Sequence, residues 1–578
     1  MANFYLDNPD IEHVLRRIDL SEVSRLRERD FAEAKECDFA PADAEDALEN
    51  YLKVLELVGE IAGEHIAPLA EEVDREGAGF SDGNVCYAPG TSRALKMLSD
   101  ADLMGMTLPR KFGGLNFPVT VYSAAIEIVS RADAALMTIF GLQDIAETIS
   151  SFADEEMKSE YLPRFSAGQV TGAMVLTEPD AGSDLQAVML QATEDSEKPG
   201  LWRLNGVKRF ITNGCGDVLL VLGRSEPNTT DGRGLSLFLC EKGPSVRIRR
   251  IENKLGIKGS PTCEIQFCNV PARLIGKRRR GLTQYVMDLM NGARIAIASQ
   301  GLGIAQAAFV AAKEFAEARE QFGKKIKDIP AVRDILVGMK TDVEASRALV
   351  YETARVVDLA DGLEAYRESG IVADKDKLQA IRAEEGKYSK YASLLTPMSK
   401  HFACEKAVEI ASASIQVHGG SGYMKDYEVE RYYRDARITT IYEGTTELQV
   451  VAAIGGIMSG TFERFVDELD GSLDASSDEA IRGRLRQAFG LAKGCTEFLK
   501  SKNDSSYTDL HARELVEIGI DVINGYLLLR LSPGDAHKRA VAKRYVERAL
   551  PRAHMLAEYV KSGDRITLDE YETIVDQD

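Results

Sequence analysis

What this chain lacks narrows its role first. Its eight cysteines are scattered with no C-x-x-C, and the nearest pair, Cys263 and Cys268, has no histidine partners beside it. The seven histidines form no H-E-x-x-H. A disulfide framework or structural metal is therefore not expected, and the thiols read as reduced core or surface residues. No window of 18 apolar residues is found, so no membrane span is expected. The opening MANFYLDNPDIEHVLRR has no basic stretch followed by an apolar run, so no signal peptide is expected. Positive charge is in deficit as well. A formal charge of -20 argues against a nucleic-acid partner, because phosphate binding needs a basic surface. These absences point to a cytoplasmic, reduced protein.

What is present is ordinary in bulk and informative in order. With 578 residues, 44% hydrophobic and 28% charged, the chain is expected to hold roughly two to four domains. Residues 1–45 are charged and weakly periodic and read as an N-terminal arm. From 46 to 172 the pattern is helical: Leu52, Leu55, Val58, Ile61, Ala62, Ile66 and Leu69 fall on one helix face. Residues 173–282 read as a β domain, with GLWRLNGVKRFITNG alternating around an Asn-Gly turn in the manner of a hairpin. Helices resume over 283–460, with a charged, solvated insertion at about 358–388. LDGSLDASSDE reads as a linker, and 461–578 as a helical extension in which Leu515 to Leu531 is a buried helix.

Five short motifs carry the chemistry. VLTEPDAGSD (175–184) offers the Thr177 hydroxyl, a Gly182 that lets backbone approach a ligand, and Ser183 as a second donor; taken alone it is a capped turn. RFITNG supplies a flat face in Phe210 and a hydroxyl in Thr212, although a lone Phe is usually core. AREQFGK (318–324) and QVHGGSGY (416–423) follow, and the second could take a pyrophosphate on its backbone N–H groups. Last, TTIYEGTTELQ (439–449) sets Glu443 between a tyrosine wall and a glycine that permits close approach and an unusual backbone angle. In isolation Glu443 is a loop carboxylate, since most glutamates are exposed. His418 reads as packing or surface. The basic runs GKRRRGL and AHKRAVAKRYVERALPRAH read as a solvated turn and the charged face of a packed helix.

In this order and layout the five motifs resemble the acyl-CoA dehydrogenase family of flavoproteins, over roughly residues 46–460. The appended helices look like the longer branch that includes 3-methylmercaptopropionyl-CoA dehydrogenase and broad-range bacterial acyl-CoA dehydrogenases. The resemblance implies an α+β multidomain fold: an N-terminal α-helical domain, a middle β-barrel-like domain, a C-terminal four-helix bundle and an extra C-terminal helical domain. It implies FAD, with Met174, Leu176, Thr177, Gly182, Phe210 and Thr212 near the flavin and Ser183 near the pyrophosphate and the acyl-CoA. Arg319 and Phe322 would come from a neighbouring subunit to meet Gln416, Gly419 and Gly420, with Thr445 and Glu447 toward the adenosine end. A shared cofactor implies a homodimer or homotetramer.

By the same resemblance Glu443 is the catalytic base beside the α-carbon of a bound acyl-CoA, flanked by Tyr442 and Gly444, with Ser183, Asn291 and Arg294 on the substrate side. Its backbone N–H and a flavin ribityl hydroxyl would hold the thioester carbonyl. Some members carry the base immediately before the arginine that matches Arg294; here that residue is Ala293, which favours Glu443. Asn291 stands where many members have Asp. The implied reaction is FAD-dependent α,β-dehydrogenation to the trans-2-enoyl-CoA, within β-oxidation, with electrons passed to electron-transfer flavoprotein. An acyl-CoA oxidase, or an idle member serving as a DNA-associated or scaffold protein, stays open.

Overall fold

The computed structural model describes every residue except 1, 36, 38, 475, 476, 577 and 578. The chain divides into two compact units: Met1–Leu336 with Ala403–Thr445, and Val337–Phe402 with Thr446–Asp578.

The first unit begins with helices where an arm is read from the sequence. Pro9–Arg17 and Ser21–Arg27 bury Ile11, Val14, Leu15, Val23 and Leu26, and the Phe4 N–H donates to the Gly59 carbonyl at 3.0 Å. Helices this short show too few turns for a clear period. The Ala44–Glu60 helix starts at Asp43, whose carboxylate accepts the Glu45 and Asp46 N–H groups at 3.0 Å each. Leu52, Leu55, Val58, Ile61, Ala62 and Ile66 are buried as their spacing requires, while Leu69 is only half-buried.

The β domain follows. Val218–Arg224 pairs in parallel with Gly172–Val175 and antiparallel with Leu235–Glu241. Thr262–Leu274 links Leu235–Glu241 to Leu201–Thr212, and Gln191–Glu194 returns from there to Val218–Arg224, so the strands close on themselves like a barrel. All seven residues of Val218–Arg224 are buried, which is why VLLVLGR lacks alternation. The expected hairpin at Asn205-Gly206 does not form. Leu201–Thr212 is one strand, bulged between Leu204 and Asn205 against Thr262–Leu274. Asn205 Oδ1 accepts the Asn269 N–H at 2.8 Å, and a Cβ on Gly206 would stand 3.0 Å from Leu190 Cα. This glycine serves close approach, not chain reversal. Among the eight cysteines none is disulfide-bonded.

One expectation about apolarity is corrected. The Gly281–Ala318 segment is long and apolar enough by composition to cross a membrane, yet 83% of its apolar window is buried within the protein. Its small residues pack on the buried Val119–Ala132 helix, where a Cβ at Gly303 would lie 2.4 Å from the Glu127 carbonyl oxygen.

The second unit is helical. The charged segment 358–388 comprises the end of the Pro330–Glu368 helix, with Leu359, Ala360 and Leu363 buried, and the start of the Lys375–His418 helix, and most of 364–390 is exposed. Arg367 bonds Glu385 at 2.6 Å between them. The linker is also shorter than read, because Thr461–Gly471 is a helix burying Phe462, Phe465, Val466 and Leu469. Ala512–Arg530 is buried along most of its length and packs on Ala536–Lys561, a helix that continues through Pro551.

Candidate active site

The Glu443 turn leaves the Val429–Thr439 helix, which is clamped in place. Arg434 bonds both Asp74 oxygens at 2.9 and 2.7 Å and Glu430 at 2.7 Å. Asp435 accepts the Ile257 N–H at 2.5 Å; burial pushes its carboxyl up to about 7 against that bond and Arg431. Glu443 then adopts φ +53° and Gly444 φ +93°. A left-handed backbone costs a non-glycine residue about 1–2 kcal/mol and persists where surrounding bonds impose it. Here the Tyr442 hydroxyl donates to Gln300 Oε1, Gln300 Nε2 donates to the Ala134 carbonyl at 2.9 Å, and Arg294 Nε donates to the Glu443 carbonyl at 3.4 Å. Arg294 also donates to Asn291 Oδ1 at 3.2 Å.

Tyr442, Glu443 and Gly444 line a cavity of about 130 Å³. The Met287–Ala318 helix adds Met290, Ala293, Ala296 and Ile297; Leu142, Asp144 and Ile145 come from the entry to the Asp144–Phe152 helix. The β domain contributes Met174, Leu176, Thr177, Gly182, Phe210, Ile211 and Thr212. The 176–185 loop is held from below. Glu178 accepts the Met189 and Leu190 N–H groups at 2.8 and 2.9 Å and meets Lys208 Nζ at 3.0 Å. Buried Lys208 donates to the Leu176 carbonyl at 2.6 Å; desolvation pulls its amine down to about 8, with Glu178 opposing.

Phe210 is the other strained wall residue, at φ +60° within an irregularity between Lys208 and Ile211, with its ring half-exposed and the Arg209 guanidinium 4.6 Å from its centroid. A flat ring held out of a strand beside Leu176, Met174 and two threonine hydroxyls fits an isoalloxazine ring. The open space beside Gly182, where a Cβ would meet nothing nearer than Thr177 Cγ2 at 3.9 Å, agrees with that fit.

The remaining expected residues lie outside the cavity. Ser183 is exposed beside Gly182. Arg319 and Phe322 sit at the small hairpin of Glu320–Gln321 and Lys324–Lys325, where Phe322 (φ +53°) and Gly323 (φ +73°) make the turn and Phe322 is 91% exposed. Gln416, Gly419 and Gly420 are exposed, and a Cβ on either glycine would meet nothing within 4 Å. Thr445 is half-buried; Glu447 is exposed and ion-paired with Arg513. His418 is packed on Phe315 and Tyr427 with ring centroids 4.2 and 5.5 Å away.

Sequence reasoning missed the wall built from residues 137–145, and above all Asp144, whose one signal is an acid within the apolar run LMTIFGLQDIA. It is 8% exposed, and burial, followed by the charges of Glu147, Glu443 and Asp288, raises its carboxyl well above the usual range. Lys208 and Glu178 were missed too.

Family models match the chain in series: acyl-CoA dehydrogenase N-terminal domain over 49–169, middle domain over 173–270, C-terminal domain over 280–369 and 378–454, and the acyl-CoA dehydrogenase C-terminal model over 458–564. The chain belongs to the acyl-CoA dehydrogenase family of oxidoreductases, in the form that carries the additional C-terminal helical region. It is 33% identical over 485 residues to 3-methylmercaptopropionyl-CoA dehydrogenase of Ruegeria pomeroyi, covering 77% of this chain and 78% of that one. With an acyl-CoA dehydrogenase of Bacillus subtilis it shares 37% identity over 64% of this chain and 90% of the relative. An acyl-CoA dehydrogenase from Bacillus anthracis, solved in complex with FAD, superposes with TM-score 0.73 at 22% identity over 91% of this chain and 90% of that one.

Proposed function

We propose that the protein dehydrogenates an acyl-CoA thioester between its α- and β-carbons to the trans-2-enoyl-CoA, with Glu443 taking the α-proton. One observation carries this reading: Glu443 is held in a strained left-handed turn at the cavity that Thr177, Phe210 and Thr212 also line. The cofactor is FAD, which when bound supplies the acceptor for the β-hydride. Met174, Leu176, Thr177, Gly182, Phe210 and Thr212 hold its ring end, and Ser183 lies toward its pyrophosphate and the acyl-CoA. Tyr442, Met290 and Ile297 keep water from the carboxylate, and the fixed turn presents it in one orientation, which is what a general base needs. Arg294 and Asn291 set that orientation through the Glu443 carbonyl.

The exposed residues outside the cavity fit a second subunit. Arg319 and Phe322 of one copy reach the FAD held near Gln416, Gly419 and Gly420 of another, with Thr445 and Glu447 nearer its adenosine, in a homodimer or homotetramer. Electrons leave to electron-transfer flavoprotein in the cytoplasm. The test is Glu443→Gln. It should retain FAD and bind acyl-CoA while turnover falls by ~10²–10⁴, the weight of a positioned general base. Near-normal turnover would overturn the assignment.

A further inference from the structure

The catalytic cavity contains a second carboxyl that the reaction above does not use. Asp144 lines the cavity, is 8% exposed, and its carboxyl meets no hydrogen-bond donor or cation among the described residues. It does not cap its own helix, which has no side-chain cap. The residue facing it is Gly292, where a Cβ would stand 3.4 Å from Asp144 Oδ2, so no side chain fills the space beside it. Its neighbours in the same cavity, Leu142, Ile145 and Met290, are apolar. The charged groups around it are Glu147, Glu443 and Asp288, all of one sign.

An acyl slot for plain alkyl chains gains nothing from such a group, since a buried polar atom without a partner is unfavourable. A site built to hydrogen-bond a substrate discriminates strongly, because the wrong substrate leaves its polar groups unpaired. Resting on the reading of Glu443 as base, we infer that Asp144 selects acyl-CoA substrates whose acyl chain carries a hydrogen-bond donor such as a hydroxyl, and that the cavity rejects acyl chains ending in a carboxylate. The donor satisfies Asp144, while an anionic end would meet the Asp144 and Glu443 carboxyls that line the same cavity.

The experiment compares three thioesters of similar reach on the purified holoenzyme: 4-hydroxybutanoyl-CoA, pentanoyl-CoA and succinyl-CoA. Flavin bleaching and calorimetric binding are both read. Wild type should favour the hydroxylated thioester over pentanoyl-CoA by roughly tenfold and bind succinyl-CoA most weakly. Asp144→Leu should invert the first preference; Asp144→Asn, which keeps the shape with a donor and an acceptor, should keep it. Equal use of the first two thioesters, or a preference that Asp144→Leu leaves unchanged, overturns the inference. Absence of bleaching with all three counts against the dehydrogenase reading instead, and the binding order still decides the role of Asp144.

Discussion

Two buried acids of the first unit, Asp144 and Asp435, have no cation in salt-bridge contact among the described residues. Asp144 is raised well above its usual range by burial, and Asp435 reaches about 7. In the second unit the opposite holds. Glu344 is buried but met by Lys538 and His537 at 2.6 Å and by Lys340 at 2.9 Å, which hold it well below the usual range. Glu352 lies between Arg530 at 2.7 Å and Arg355 at 2.8 Å, and against the penalty of burial those two bring it down to about 2. The first arrangement leaves Asp144 open to a ligand at the cavity and Asp435 to the Ile257 N–H. The second ties helices together and leaves nothing for a ligand to satisfy.

The largest expected effect tests the second half of this contrast. Glu352→Ala leaves Arg530 and Arg355 without their carboxylate, and breaking a buried pair from one side destabilises by about 3–5 kcal/mol. Chemical denaturation should show the helical signal lost at lower denaturant; a change below about 1 kcal/mol would mean that the pair is idle.

Acid sharpens the comparison further. Glu352 has a folded-state value near 2 against an ordinary 4.5, so its contribution is complete above 4.5 and lost as pH falls from 4.5 through 2. Asp435 has the reverse sign. Raised from 3.8 to about 7, it favours the folded state fully below 3.8, and that advantage is lost as pH rises through 7. Between pH 5 and 3, Glu352→Gln should therefore lose less stability than wild type, and Asp435→Asn should not. The two following the same course would erase the distinction.

The smallest effect is expected at Asp144. Replacing an unsatisfied buried carboxyl by leucine should raise stability by about 1 kcal/mol, read as an upward shift in Tm, at the expense of substrate choice. A fall of similar size would mean that Asp144 is a structural residue.

How legible this was from sequence depends on how local each cause is. The Tyr442-Glu443-Gly444 turn declares itself, because a glycine beside an acid changes what the backbone can do at that point. Thr177, Gly182, Phe210 and Thr212 were found as parts of short ordered motifs that resemble the family, and they do share the cavity with Glu443. Asn205-Gly206 has the composition of a tight turn, yet it lies within a strand, bulged against Thr262–Leu274 and with Leu190, beside the neighbouring strand, close against Gly206. The helices at 9–27 were too short for their period to show. Asp144 was illegible because its significance lies in the absence of a partner, which only the packed chain reveals.

The most direct test of the account is the visible spectrum of the purified protein during anaerobic titration with acyl-CoA thioesters. The account predicts a yellow protein whose flavin absorbance is bleached by at least one thioester, with trans-2-enoyl-CoA recovered. A protein that stays colourless after reconstitution with FAD, or whose flavin no acyl-CoA bleaches, would contradict it.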